Sequence, residues 1–126
     1  MPKLVKTEIE LCARAAHEMN RSFCALQGDT SHKSWEDTPE DLKQTARLSV
    51  QNIVEFDHNA EKTHEAWVND KLARGYQRGD AKDDAKKLHP CLVPWAQLPF
   101  EMQAKDKLWV SVVKEFMTAR WSIPTQ

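Results

Sequence analysis

The chain has 126 residues, 40% of them apolar and 29% charged, with eighteen Lys and Arg against nineteen Asp and Glu for a net charge of −1. That length suits one domain with a continuous core, and the composition excludes a disordered tail or a membrane protein. The near-neutral balance excludes general nucleic-acid binding, in which attraction to phosphate supplies most of the affinity.

The elements follow in chain order. Over residues 4–27, Val5, Ile9, Cys12, Ala16, Met19, Phe23 and Leu26 alternate spacings of four and three, which predicts a helix with one apolar stripe. Gly28 ends it. Asp29 to Thr38 reads as a loop carrying one large apolar residue, Trp35. Thr38-Pro39-Glu40-Asp41 reads as a helix start, with a hydroxyl cap, a proline in the first turn and acids near the positive dipole end. That helix continues through Leu42, Ala46, Val50 and Ile53 to about Phe56.

A third helix is predicted from about Asn59 to Arg74, closed by Gly75. Tyr76 to Asp80 reads as a short strand or turn, and residues 80–88 as a charged surface loop. Cys91-Leu92-Val93, between Pro90 and Pro94, is a short strand candidate. A last helix begins near Pro99 and buries Met102, Trp109, Val113 and Phe116, with a fraying tail beyond Arg120 unless Trp121 and Ile123 dock. No run approaches the roughly 18 apolar residues of a membrane span. The N-terminal MPKLVKTEIE lacks the apolar region of a signal peptide, so a cytoplasmic location is expected. Cys12, Cys24 and Cys91 are odd in number and widely spaced, which reads as reduced, mostly buried thiols.

The chain is written twice. Trp35-x3-Pro39 and Trp95-x3-Pro99 lie sixty positions apart, and at the same offset Leu42 meets Met102, Leu48 meets Leu108, Val50 meets Val110, Ile53 meets Val113 and Phe56 meets Phe116. Upstream, Ala16-His17-Glu18 recurs as Thr63-His64-Glu65 at an offset of forty-seven, each His eleven residues before its glycine. The expected fold is therefore a single domain, mainly α with short β pieces (α+β). Its two helix–loop–helix halves, about 4–57 and 58–118, would be related by a pseudo-two-fold, with a tail at 119–126.

The second half carries a recognisable pattern. His64-Glu65-x-Trp67, Lys71, Arg74-Gly75-Tyr76, Gly79, Asp83-Asp84 and above all Lys86-Lys87-Leu88-His89-Pro90-Cys91-Leu92-Val93-Pro94-Trp95 resemble the ryanodine-receptor-type (RyR) domain over about residues 59–117. Leu98-Pro99 and Lys105-Asp106 continue the resemblance. His17-Glu18-x-Asn20-Arg21-x-Phe23-Cys24 through Trp35 looks like the N-terminal extension of stand-alone bacterial and phage members. Tyr76 stands where a Trp is common, and Gln77-Arg78 replaces the usual aromatic-containing turn. The resemblance implies a mainly helical fold and, as ligand, a nucleotide-derived signal such as an ADP-ribose-like molecule or a cyclic nucleotide. The setting it implies is a phage sponge or sensor in bacterial immunity, within the host cytosol.

The residues themselves point to binding rather than turnover. An indole stacks on a planar base, and basic groups near loop ends hold phosphate or ribose. On that ground Asn20, Arg21, Trp35, His64, Trp67, Lys71, Tyr76, Lys87 and His89 are the expected ligand contacts. The competing reading of Trp35 and Trp95 is that both plug the ends of the core. His64, Trp67 and Lys71 share one helix face, and His17, Asn20 and Cys24 the matching face of the first helix. If those faces meet, they form either a pocket or a satisfied polar core.

No metal or other cofactor is expected. His17, His64, His89, Cys24 and Cys91 are suitable ligand types, but no second His follows His-Glu at the metalloprotease spacing and no tight ligand pair occurs. Neither a nucleophile elbow nor a glycine-rich phosphate loop is present, so no catalytic residue is assigned. The alternative expectation is a protein-interaction module using an exposed patch of Trp109, Trp121 and Ile123, or the loop at 80–88. A hydrolase acting on the same nucleotide class is a remote third. The near-neutral surface suits a homodimer as readily as a monomer.

Overall fold

The computed structural model of the protein describes the backbone of residues 4–122 and the side chains of residues 4–120. The fold is mainly helical: α1 (Lys6–Leu26), α2 (Glu40–Phe56), α3 (Ala60–Ala73) and α4 (Phe100–Ser122), with a single 3-10 turn at Trp95–Gln97. The helix bounds follow local chemistry. Glu8 accepts the Val5 N–H at 3.0 Å at the start of α1, and Asn59 caps α3 by accepting the Lys62 N–H at 2.9 Å.

The two glycines close their helices in the same way. Gly28 (φ 90°) and Gly75 (φ 88°) take the left-handed position after α1 and α3. The next N–H, of Asp29 or Tyr76, bonds back to the carbonyl of Cys24 at 2.9 Å or Lys71 at 3.0 Å. Thr38 differs from its expected role as a hydroxyl cap. Its Oγ1 donates to the Ser34 carbonyl at 2.7 Å instead, and α2 starts at Glu40 with no side-chain cap.

α2 and α4 pack on each other; α1 lies against both, and so does α3. Val50, Ile53 and Val113 are almost fully buried, and Leu4, Cys12, Ala13, Trp35, Val54, Val110 and Met117 complete the core. Burial pushes the Cys12 thiol up to about 12, as befits a small apolar packing residue. The predicted stripe of α1 holds in its middle and fails at its ends, where Val5 and Leu26 are exposed. An ion pair between Arg120 and Glu8 ties the end of α4 to the start of α1.

The expected β pieces shrink to two isolated bridges among the described residues, Gln77 with Leu88 and Asp83 with Leu88. The Cys91-Leu92-Val93 segment is a turn. Its polar groups are spent locally: Cys91 N–H donates to His89 Nδ1 at 3.0 Å and Val93 N–H to the Cys91 carbonyl at 2.8 Å. Pro90 and Pro94 supply no N–H, so little remains for a strand partner. No helix among the described residues is long and apolar enough to cross a membrane.

Candidate functional site

Between the pairs α1–α2 and α3–α4, all four of which contribute lining residues, lies a cavity of about 230 Å3 that opens to solvent. α1 contributes His17 and Asn20, and α3 contributes Thr63, His64, Trp67 and Lys71. α2 and α4 form its floor with Ser49, Met102 and Trp109 among others, while the loops bring in His32, Lys82, Asp84, His89 and Cys91. The matching faces of α1 and α3 therefore border an open pocket, though Cys24 stays out of it.

Each helix histidine is anchored by one ring nitrogen. His17 Nε2 lies 2.8 Å from the Lys33 carbonyl, and His64 Nε2 2.7 Å from the Val93 carbonyl. A carbonyl oxygen only accepts, so both rings carry their proton on Nε2. Those carbonyls stand two residues before Trp35 and Trp95, whose rings lie 5.5 and 6.0 Å from the same histidines. Trp67 stacks on His64 at 5.7 Å and meets the edge of His89 at 4.8 Å. Across the floor, Trp109 Nε1 donates to Ser49 Oγ at 3.0 Å.

The charged groups divide into paired and unpaired. Asp84 accepts from Tyr76 Oη at 3.2 Å, and the ring of Tyr76 lies 4.5 Å from Lys71 Nζ. Asp106 faces His64 Nδ1 at 3.6 Å. Burial pushes the Asp106 carboxyl up to about 6, against the pull of His64 and Lys105. Burial, assisted by Lys82, Lys105 and Lys71, drags His89 down to about 4. Burial also lowers Lys71 and raises Cys91. Each shift favours the neutral form, which is the direction a low-dielectric pocket imposes.

Asp106 and His89 pull stability in opposite directions as pH changes. Folded Asp106 keeps its proton to about pH 6, whereas the unfolded carboxyl releases it near 3.8, so its contribution grows on acidification. Folded His89 stays neutral to about pH 4 while the unfolded ring protonates near 6.5, so its contribution falls over the same range. In Asp106→Asn the Asp106 contribution is gone, while those of His89 and of the other shifted groups stay. Relative to that variant, the wild type should gain roughly 1 kcal/mol for each pH unit of acidification from about 6 to 4. Urea unfolding of both proteins at several pH values measures it; a constant difference would mean that Asp106 titrates as an ordinary surface acid.

Of the expected contacts, Asn20, His64, Trp67, Lys71 and His89 line the cavity, and Arg21, Trp35, Tyr76 and Lys87 do not. Arg21 is exposed and pairs with Glu18 at 3.3 Å. Trp35 is 4% exposed within the core, so the packing reading describes it and no face is left for stacking. Tyr76 is buried beneath Lys71. Lys87 reaches the Arg74 carbonyl at 2.8 Å and borders Gly75 instead. Trp109 is half-buried in the floor rather than part of an exposed patch, and Ile123 and the Trp121 side chain lie outside the described residues.

Lys82, Lys105, Asp106 and Thr63 went unnoticed as candidates. α4 did carry a signal: Met102, Lys105, Asp106 and Trp109 fall on one helix face, placing two charges within an apolar stripe. Among the described residues, Cys24, Asp29 and His32 bring metal-type donor atoms within 4.8 Å of one another. Asp29 Oδ1 is already taken by Ser31 N and Oγ at 3.0 and 2.6 Å. Burial, followed by the charges of Lys82 and Lys105, lowers His32, and that positive field opposes a cation.

The family model for the RyR domain matches residues 38–125. The chain belongs to the RyR domain family. The match spans α2, α3 and α4 and starts at Thr38, so α1 lies outside it. One wall of the cavity, with His17 and Asn20, is thus supplied by a helix that precedes the matched RyR domain segment, packed against its α2 and α4.

Proposed function

We propose that this RyR domain protein is a non-enzymatic module that binds a nucleotide-derived small molecule in the cavity between its helical pairs. The observation that carries this reading is the lining, where two indoles, Trp67 and Trp109, stand with the ammonium groups of Lys82 and Lys105 and the hydroxyls of Thr45 and Thr63. Planar faces, hydrogen-bonding groups and positive charge in one concavity match base, sugar and phosphate respectively. About 230 Å3 is small for a ligand site, so the cavity suits a base with part of its sugar while the remainder extends to solvent.

Several features support a pseudo-two-fold through this cavity. The histidine–carbonyl anchors, the glycine helix ends and the Trp-x3-Pro turns recur at the two sequence offsets. After each turn the same backbone bond forms, Leu42 to Pro39 at 3.1 Å and Met102 to Pro99 at 3.0 Å. Ser49 and Trp109, sixty positions apart, touch each other, as equivalent residues do only beside a symmetry axis. The lining also includes the equivalent pairs His17 with His64 and Leu42 with Met102.

Against catalysis stand the anchored Nε2 of both helix histidines, the raised Cys91 thiol and the lowered His89, none of which forms a nucleophile–base pair. The resemblance to stand-alone phage and bacterial members favours sequestration or sensing of a signal in a host cytosol, by a monomer or homodimer alike. Thermal shift against adenine nucleotides, ADP-ribose, its cyclic isomers and cyclic oligonucleotides tests the reading. A ligand at a hundred times its Kd should add about 2.7 kcal/mol, with no product formed on incubation. Product formation would make the protein a hydrolase. Silence across the panel would favour a protein partner, for which the exposed Leu26, Phe56 and Phe100 offer apolar surface.

A further inference from the structure

The cavity has two chemically different ends. At one end Thr45, Ser49, Thr63 and Trp67 also border a small adjoining pocket of about 20 Å3 beside His58 and Asp70. The Thr63 hydroxyl there is buried and has no hydrogen-bond partner among the described residues. A buried, unpaired hydroxyl is costly, and its presence in a cavity wall marks a position where a ligand group or a water completes the bonding. At the other end Lys82, from an exposed loop, and Lys105, from α4, act together on His32, His89 and Cys91.

The distribution of partners makes the second end positive. Asp84 is engaged by Tyr76 and Lys71, and Asp106 by His64. Among the described residues Lys82 and Lys105 have no hydrogen bond or ion pair; only the longer-range pull of Asp29 on Lys82 and of Asp106 on Lys105 offsets the two positive charges that border the cavity. We propose that Lys82 and Lys105 form an anion subsite that holds the phosphate of the ligand, while the Thr63 hydroxyl bonds its uncharged end. The proposal deepens the reading of the cavity as a nucleotide site and rests on it for the uncharged end alone.

A bound anion stabilises the imidazolium form of a neighbouring histidine, so occupancy should raise the pKa of His89 from about 4. His32 should follow in the same direction. The other charged groups around this end are Lys71, Asp84 and Asp106, with Asp29 beside His32 at 3.5 Å; Asp106 loses its negative charge below about pH 6, which removes a repulsion to the anion. His17 and His64 line the cavity as well. Anion binding should therefore tighten as pH falls.

The test uses histidine NMR titrations with sulfate, which remains a dianion throughout the range, and affinity measurements with ADP-ribose and adenosine. Sulfate should raise the His89 pKa in the wild type and leave it unmoved in Lys82→Gln/Lys105→Gln. That double variant should lose about tenfold or more in ADP-ribose affinity and little for adenosine. Thr63→Val should weaken adenosine several-fold while raising the Tm of the free protein. A sulfate response with no nucleoside binding would keep the anion subsite and overturn the nucleotide reading. Nucleoside and ADP-ribose binding that ignore the lysines would overturn the subsite and keep the nucleotide reading. If Thr63→Val leaves adenosine affinity unchanged, its hydroxyl is not a ligand contact.

Discussion

Trp35→Ala is expected to remove about 3–5 kcal/mol of folding stability, a large part of what a domain of this size possesses. The indole is buried where α1, the following turn and α2 converge. Its Nε1 donates to Glu10 Oε1 at 3.0 Å, and Arg47 Nε holds the other oxygen of the same carboxylate at 2.6 Å. The Arg47 hydrogen bond, followed by that from Trp35, keeps the Glu10 carboxyl below the usual range. Lys43 and Arg47 also stand over the indole face at 5.4 and 5.6 Å. Alanine would empty the space and leave Glu10 and Arg47 without their organising surface. Urea unfolding at neutral pH measures the loss. A cost below about 1 kcal/mol would contradict the placement of Trp35 in the core and restore it as a candidate contact.

Trp67→Ala should have the opposite profile. Its ring is half-buried and lines the cavity beside His64 and His89, so its principal loss should be in binding. Stacking of a base on an aromatic ring is worth about 1–3 kcal/mol, which predicts a fall of roughly ten- to a hundredfold in affinity for ADP-ribose. Trp67→Phe should recover most of it, because a smaller aromatic face remains. Isothermal titration of the three proteins gives the comparison. Equal affinities would place the base elsewhere.

The contrast between these two tryptophans marks the limit of what was legible in the sequence. Helix bounds were readable because their signals are local: Gly28 and Gly75 in the left-handed conformation, Pro39 and Pro99 before the helices they introduce. Helical periodicity put His17 with Asn20, and His64 with Trp67 and Lys71, each on one helix face; that both faces border one cavity came from the tertiary packing. Whether a polar or aromatic residue is spoken for depends on distant partners, and those are not local. Tyr76 looked free until Asp84 was seen beside it, and Lys87 until the Arg74 carbonyl; Arg21 is the exception, its partner Glu18 lying one turn away on the same helix.

The charged loop at 80–88 is exposed over most of its length, as it read, but its sequence did not show which groups it brings to the cavity. One of its lysines, Lys82, borders the cavity, because the bridges of Leu88 to Gln77 and Asp83 fold the loop back toward α3. The strand expected at Cys91 failed for a related reason: a side chain, His89 Nδ1, took the N–H that a neighbouring strand would have used. The pattern of apolar residues was compatible with either outcome.

The most direct measurement of ligand binding in the cavity is the set of tryptophan indole N–H signals in a 1H–15N spectrum during titration with ADP-ribose, assigned by single Trp→Phe replacements. The signals of Trp67 and Trp109 should move together and saturate, while that of Trp35, bonded to Glu10 in the core, stays in place. Saturable binding that leaves Trp67 and Trp109 unmoved, or that shifts Trp35 instead, would contradict a ligand site between the two helical pairs.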